Sequence, residues 1–215
     1  MITVLLPTYN EEASIRETIQ EVKDCVSDAK IVVVDSYSQD KTVEYAKQFN
    51  VELIMVRERG KGIAIKEALR WVDTEYTVML DSDFTYPASY INEIVYNLES
   101  GYNVVMGYRK YRETGSMPLI NVLGNAGLSF IASVVCKKYV HDLCTGMWGF
   151  DSYALNRFRL SAKGFTLEAD LFKNAVRNHC KIKQMPITYR ARLKDSKTKL
   201  NVGHGVEIAK FLIKG

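Results

Sequence analysis

The sequence predicts an α/β protein built on an open, mostly parallel sheet with helices on both faces. Three observations carry that prediction. Apolar, β-branched runs recur through the first half without polar interruption, as strands buried on both faces require. Segments of helical periodicity separate them, and strands alternating with such helices imply βαβ crossovers. At 215 residues, 47% hydrophobic and 25% charged, the chain has the size of a single domain and ample apolar material to order it.

Taken in order, Ile2–Leu6 is the first buried strand, and Asn10 is placed to cap a helix in which Ile15, Ile19, Val22 and Val26 share one face. Ile31–Val34 is the second strand, ending at Asp35. A helix over 42–49 and a strand over 51–56 lead into a loop containing Gly60 and Gly62. A helix over 63–72 then precedes a strand over 76–80 that ends at Asp81. A helix near 89–98 and a strand over 103–106 complete the regular part. Beyond it, 118–138 reads as one or two helices, 143–150 as a loop and strand, and 165–178 as a helix. Residues 181–189 read as extended and 206–213 as a short amphipathic helix.

Composition narrows the function. A net charge of +4 is too small to argue for nucleic acid, and suits a phosphate-bearing substrate or an anionic membrane surface. The opening residues show no basic region or cleavage site, so no secretory signal is expected. Cys25, Cys136, Cys144 and Cys180 lack paired short spacing and read as reduced thiols, which points to the cytoplasm. The longest apolar stretch, 119–136, is broken by Asn121, Gly124 and Asn125 and falls short of a membrane span.

Ligands of open parallel sheets collect at the carboxyl ends of the strands. There the first strand presents Pro7-Thr8-Tyr9-Asn10-Glu11, the second Asp35, and the fourth Asp81-Ser82-Asp83. Carboxylates gathered so closely need a cation or hydrogen-bond donors between them. Asp81 and Asp83 suit a hard divalent ion, Mg²⁺ or Mn²⁺, that completes its shell with diphosphate oxygens and water; a solvated turn is the ordinary alternative. In Arg59-Gly60-Lys61-Gly62 the glycines would let the backbone approach phosphate and Lys61 would neutralise it. The segment lacks the ending of a P-loop, and the first strand-to-helix turn lacks glycine, which excludes a nicotinamide-binding Rossmann domain.

Leu6-Pro7-Thr8-Tyr9-Asn10-Glu11-Glu12, Val33-Val34-Asp35, Gly60-Lys61-Gly62 and Asp81-Ser82-Asp83 resemble the successive signatures of family-two glycosyltransferases of the GT-A fold. Gly107-Tyr108-Arg109, the segment Asp142 to Met147, the segment Gly164 to Glu168, and Thr198-Lys199-Leu200-Asn201 resemble the polyprenyl-phosphate (dolichyl-phosphate) sugar synthase branch. The resemblance implies one glycosyltransferase domain over 1–215, with a nucleotide-sugar half at 1–110 and an acceptor half at 111–215. It implies that Pro7, Tyr9, Glu11 and Asp35 line the base and ribose, that Lys61 lies near the base or diphosphate, and that Asp81 and Asp83 hold ribose, diphosphate and metal. Arg109, Thr145, Arg192, Lys197 and Lys199 would meet acceptor or donor phosphate, and Glu168 would stand near the donor sugar or acceptor. The chain departs from relatives where Ser36 and Tyr37 replace a second Asp and a Gly, and its basic segment offers both Lys197 and Lys199 as the phosphate ligand.

The implied reaction is inverting, metal-dependent transfer of a hexose or N-acetylhexosamine from a UDP- or GDP-sugar to polyprenyl or dolichyl phosphate. The catalytic set would be Asp83, Arg109, Glu168 and Asp170. A phosphate nucleophile is already anionic and needs positive charge more than a base; a hydroxyl acceptor would need Glu168 or Asp170 as base. Leu119, Ile120, Val122, Leu123, Leu128, Phe130, Ile131, Val134 and Val135, with Lys137 and Lys138, suit an interfacial helix on the cytoplasmic membrane surface or ordinary core, as does the stripe Val206 to Ile213. A binding module without turnover is the non-enzymatic alternative.

Overall fold

The computed structural model describes residues 1–194 and 202–214. Seven strands make one sheet: β1 (Ile2–Thr8), β2 (Lys30–Asp35), β3 (Glu52–Met55), β4 (Tyr76–Met79), β5 (Val104–Arg112), β6 (Trp148–Asp151) and β7 (Ile182–Tyr189). Their order is β3-β2-β1-β4-β6-β5-β7. Around it lie α1 (Ile15–Cys25), α2 (Thr42–Ala46), α3 (Lys61–Ala68), α4 (Ile91–Glu99), α5 (Leu119–Val135), α6 (Ser152–Asn156), α7 (Leu167–Arg177) and α8 (Val202–Ile213).

The continuous apolar runs have their physical cause in two cores, one on each face of the sheet. Val4, Leu6, Val33, Val78 and Leu80 pack toward Ile15, Ile19 and Val22 of α1 and Ile91, Ile94 and Leu98 of α4. Their neighbours Leu5, Val32, Val34 and Met79 face the other way, with Ala64 and Ile65 of α3 and Leu171 and Phe172 of α7. A strand sandwiched between two helical layers has no polar face, so period-two alternation vanishes.

One strand breaks the parallel pattern, and this builds the site. β6 runs antiparallel to both β4 and β5, and its first residue, Trp148, pairs with Met79 at the site-facing end of β4 and with Met106 of β5. The chain therefore leaves β5, forms α5 and returns into β6 at the same end of the sheet, holding 113–147 over the ligand-bearing rim. Trp148 anchors the return: fully buried, it stacks on Phe150 at 5.9 Å and donates its indole N–H to the Thr145 carbonyl at 2.7 Å.

Several local expectations are revised. Asn10 does not cap α1: Ser14 precedes the helix, while the Asn10 side chain accepts from the Gln39 N–H at 2.8 Å and ties two site loops together. Of the one or two helices expected over 118–138 there is one, Leu119–Val135; the third helix ends at Ala68 before a short 3₁₀ turn over Leu69–Trp71, and α6 was not foreseen. No described helix is long and apolar enough to cross a membrane.

α5 turns a small and polar side inward and an apolar side outward. Ser129 and Ala132 face inward, whereas Leu119, Ile120, Leu123, Phe130 and Val134 are each 60–73% exposed. At 3.6 residues per turn those five fall within roughly 100° of the helix circumference, so they form one outward stripe.

Candidate active site

The turn after β4 is built by its middle residue. Ser82 is buried; its hydroxyl donates to the Pro7 carbonyl at 3.0 Å, and its carbonyl accepts from Ser14 at 2.9 Å and Thr18 at 3.2 Å. This fastens the Asp-x-Asp turn to β1 and α1 and fixes the backbone from which Asp81 and Asp83 project. Gly146 leaves the room Asp81 needs, because any Cβ there would overlap its carboxylate.

Protein cations occupy the spaces between the carboxylates. Lys61 Nζ donates to Asp81 Oδ1 at 2.5 Å and to Glu168 Oε1 at 2.6 Å. Arg192 pairs with Asp83 Oδ2 at 2.5 Å, while Asp83 Oδ1 accepts from Thr85 N at 3.1 Å and Thr85 Oγ1 at 2.5 Å. Arg109 makes a bidentate pair with Asp142, Nε to Oδ2 at 2.7 Å and Nη2 to Oδ1 at 2.6 Å, and Asn125 of α5 adds a bond to Oδ1 at 2.8 Å. The carboxylates thus meet the hydrogen-bond donors their crowding requires in three basic side chains, Lys61, Arg192 and Arg109.

Burial by itself would lower the Lys61 pKa, but the charges of Asp81 and Glu168 and the bonds to both outweigh it, and the ammonium is held above the usual lysine range. Burial would raise Asp81; Lys61 outweighs it and keeps the carboxyl below its ordinary value. Asp142 is lowered in the same way, by Arg109 against burial. Burial pushes the neighbouring Cys144 thiol up to about 12, which leaves it an un-ionised packing group.

The β1–β2 side of the rim holds Tyr9, Glu11 and Asp35. Arg59 lies over the Tyr9 ring, 4.2 Å from its centroid, and bonds the Tyr9 hydroxyl. Asp35 is wholly buried and accepts from Ser38 N at 2.9 Å and Ser38 Oγ at 2.5 Å. Glu11 is buried, its Oε2 accepting from Ser14 Oγ at 3.2 Å. Pro7 is enclosed within β1 and reaches the turn through its carbonyl. Tyr37 stands at φ 67°, in the left-handed region, where the family resemblance places glycine; a non-glycine residue there costs about 1–2 kcal/mol.

Three assignments change. Thr145 is fully buried, its Oγ1 accepting from Met147 N at 3.3 Å, so it shapes the turn into β6 and is not exposed to phosphate. Asp170 is no general base: it is buried, and its Oδ2 accepts from Ser161 N at 2.5 Å and Ala162 N at 2.7 Å. Gly60 and Gly62 admit protein backbone, not phosphate, since a Cβ on Gly62 would lie 2.5 Å from the Ala162 carbonyl oxygen. Lys197 and Lys199 lie outside the described residues. Sequence reasoning passed over Tyr86 and gave Asn125 no part in the site. Tyr86 is buried and its hydroxyl accepts from Gly146 N at 2.6 Å; nothing in its sequence context signals that placement.

Comparison with known proteins fits this geometry. A family model described as glycosyl transferase family 2 matches residues 3–159. The chain belongs to that family. It is thus a glycosyltransferase. The dolichyl-phosphate hexose transferase of Haloferax volcanii is 31% identical over 215 residues, which cover 99% of this chain and 92% of that protein. The UDP-N-acetylglucosamine–dolichyl-phosphate N-acetylglucosaminyltransferase of Methanococcus voltae is 25% identical over 214 residues, covering 87% of this chain and 84% of that one. Of two longer curated relatives the chain spans 66% and 48%. Glucosyl-3-phosphoglycerate synthase from Mycobacterium tuberculosis, crystallised with Mn²⁺, UDP and glucosyl-3-phosphoglycerate, superposes with a TM-score of 0.76 at 21% identity, over 100% of this chain and 79% of that one. At that identity the likeness speaks for the fold.

Proposed function

We propose that this glycosyltransferase moves a hexose or N-acetylhexosamine, with inversion, from a UDP- or GDP-sugar to a polyprenyl or dolichyl phosphate. The observation that carries the reading is the state of the two carboxylates a hydroxyl acceptor would need. Glu168 is held by Lys61, and Asp170 by the backbone of 161–162, so neither stands ready to take a proton. A phosphate nucleophile needs no proton removed. It needs cations that hold two phosphate groups together, and Lys61, Arg109 and Arg192 converge there. The names of the Haloferax and Methanococcus relatives carry the same acceptor class.

Asp81 and Asp83 fit a divalent ion. Asp81 Oδ2 accepts no hydrogen bond among the described residues, and no cluster of three or more His, Cys, Asp or Glu there makes a complete metal cage. Two carboxylates with ligand phosphate and water are the set that Mg²⁺ or Mn²⁺ takes. When bound, the ion would neutralise charge on the leaving diphosphate. Lys61 and Arg192, released from Asp81 and Asp83, would move onto phosphate oxygens. Tyr9 and Arg59 would cover the base, and Arg109, kept in place by Asp142, would face the acceptor phosphate.

The outward stripe of α5 accounts for the lipid. Asn125 on its inner side touches Asp142, so the helix that steadies the Arg109 pair also presents Leu123 and Phe130 outward. We place this face on a membrane surface, with Lys137 and Lys138 at the headgroups. Leu123→Glu and Phe130→Glu are each expected to weaken sedimentation with anionic vesicles about tenfold, from the loss of roughly 1.5–3 kcal/mol of apolar insertion. Unchanged sedimentation of both would remove α5 from the interface.

The function itself is tested with radiolabelled UDP- and GDP-sugars, Mn²⁺ and polyprenyl phosphate in detergent. Label extracted into organic solvent is the expected result. Label that stays water-soluble and appears only with hydroxyl acceptors would replace this reading.

A further inference from the structure

We propose that Asp170 is a positioning residue for Lys61, acting through the 161–163 loop and the glycine pair that flanks the lysine. The proposal rests on the reading of Lys61 as a diphosphate ligand, and it gives a place to a carboxylate that this reading leaves without chemistry.

The connection can be followed bond by bond. Asp170 lies in the first turn of α7, and its Oδ2 accepts three hydrogen bonds: Ser161 N at 2.5 Å, Ala162 N at 2.7 Å and Ser161 Oγ at 3.3 Å. Its Oδ1 is fixed from behind by Asn174 Nδ2 at 2.9 Å, and Asn174 Oδ1 is itself held by Arg159 N at 2.8 Å. The loop so gripped turns the carbonyls of Ala162 and Lys163 toward the N-terminus of α3. There Ile63 N donates to the Lys163 carbonyl at 3.2 Å. Gly60 and Gly62 meet the same two carbonyls without side chains; a Cβ on Gly60 would overlap Lys163 O, and one on Gly62 would sit 2.5 Å from Ala162 O. Gly60 also adopts φ 143°, which a side chain disfavours.

Lys61 is the residue between those glycines. Its backbone is thus pressed onto a loop that Asp170 holds, while its ammonium is held by Glu168, two residues before Asp170 on the same helix. One turn of α7 therefore grips the lysine twice, at the side chain by Glu168 and at the main chain by Asp170. A lysine has four rotatable bonds, and fixing its backbone is what lets one ammonium bridge two carboxylates on separate elements. This is why two glycines flank the lysine here: the close neighbour is protein backbone, and the phosphate would meet the side chain.

The test uses the full chain and two readouts. Asp170→Ala is expected to weaken Mn²⁺-dependent binding of UDP or GDP, whichever the parent binds, by about tenfold in calorimetry, as loss of an outer support does at other ion sites. Asp170→Asn, which keeps an oxygen for the two N–H groups, should lose less. In a Lys61→Ala background, Asp170→Ala should cause no further loss, because its effect passes through the lysine. The second readout needs no nucleotide: brief acylation read by mass spectrometry should label Lys61 faster in Asp170→Ala, while Lys66 on the same helix keeps its parental rate. If Asp170→Ala fails to fold, Gly62→Ala breaks the same contact from the other side and should produce both signatures.

Equal loss of affinity with and without Lys61, or acceleration of Lys66 together with Lys61, would overturn the positioning role. Lys61→Ala that binds nucleotide as the parent does would overturn the ligand role of Lys61 and this inference with it, whereas additive losses would overturn the inference alone.

Discussion

Asp142→Ala is expected to cost about 3–5 kcal/mol of folding stability, the loss seen when one member of a buried ion pair is removed and the other charge is left behind. The Arg109 and Asp142 side chains are only 8% and 7% exposed. Asp142 also accepts from the Arg109 backbone N–H at 3.0 Å and from Asn125 at 2.8 Å, so its removal undoes four bonds that join β5, α5 and the loop entering β6. The urea midpoint measures it, and a loss below about 1 kcal/mol would mean that the Arg109 guanidinium reaches water by another route. The same pair sets an acid dependence. Burial raises Asp142, but Arg109 outweighs it and holds the folded-state pKa below the unfolded one. Its contribution is therefore complete above the ordinary carboxylate range near pH 4 and is lost as pH falls through the lowered folded value. Asp81 adds a contribution of the same sign. The acid limb of the stability profile should be shallower in Asp142→Ala than in the parent.

Asp83→Asn is expected to leave the fold intact and to reduce metal-assisted nucleotide uptake, and transfer with it, by about 100-fold or more, since a catalytic cation contributes several kcal/mol of charge stabilisation. The amide keeps the shape of the carboxylate and one acceptor for Thr85, but it removes the charge that would attract the ion. It also leaves Arg192 without its partner. The Arg192 side chain is a quarter exposed, so the stability change should stay within about 1 kcal/mol. Calorimetry of UDP and GDP, each with and without Mn²⁺, separates the effects: the increment due to metal should vanish while metal-free affinity changes little. A retained increment would place the cation away from Asp83.

The regular half of the fold was legible because a strand covered on both faces shows no alternation of apolar and polar residues, and Val4–Leu6, Ile31–Val34 and Val78–Leu80 are continuous apolar runs. The Asp-x-Asp turn was legible because the carboxyl ends of parallel strands are where an open sheet receives ligands. Partners were not legible. Lys61 and Glu168 are 107 residues apart, and only the tertiary fold, with the 161–163 loop against the start of α3, brings them within 2.6 Å. Thr145 and Asp170 were misassigned for one reason: a hydroxyl or carboxylate in a motif looks reactive, and the sequence does not show that backbone N–H groups already occupy it. Gly60 and Gly62 announced a close approach without naming what approaches.

Taken alone, the sequence determined the class of the fold, the rim at which chemistry gathers and the acidic and basic residues that supply it, because burial pattern and the alternation of strand with helix follow from local composition. The tertiary structure alone decided which charges pair, which polar groups are already satisfied, and that one side of α5 faces outward. Those depend on contacts between segments far apart in the chain. The antiparallel β6 is the clearest case: four residues whose direction no local pattern reveals lead the chain away from the rim, so that 113–147 stays over it and Asp142 meets Arg109.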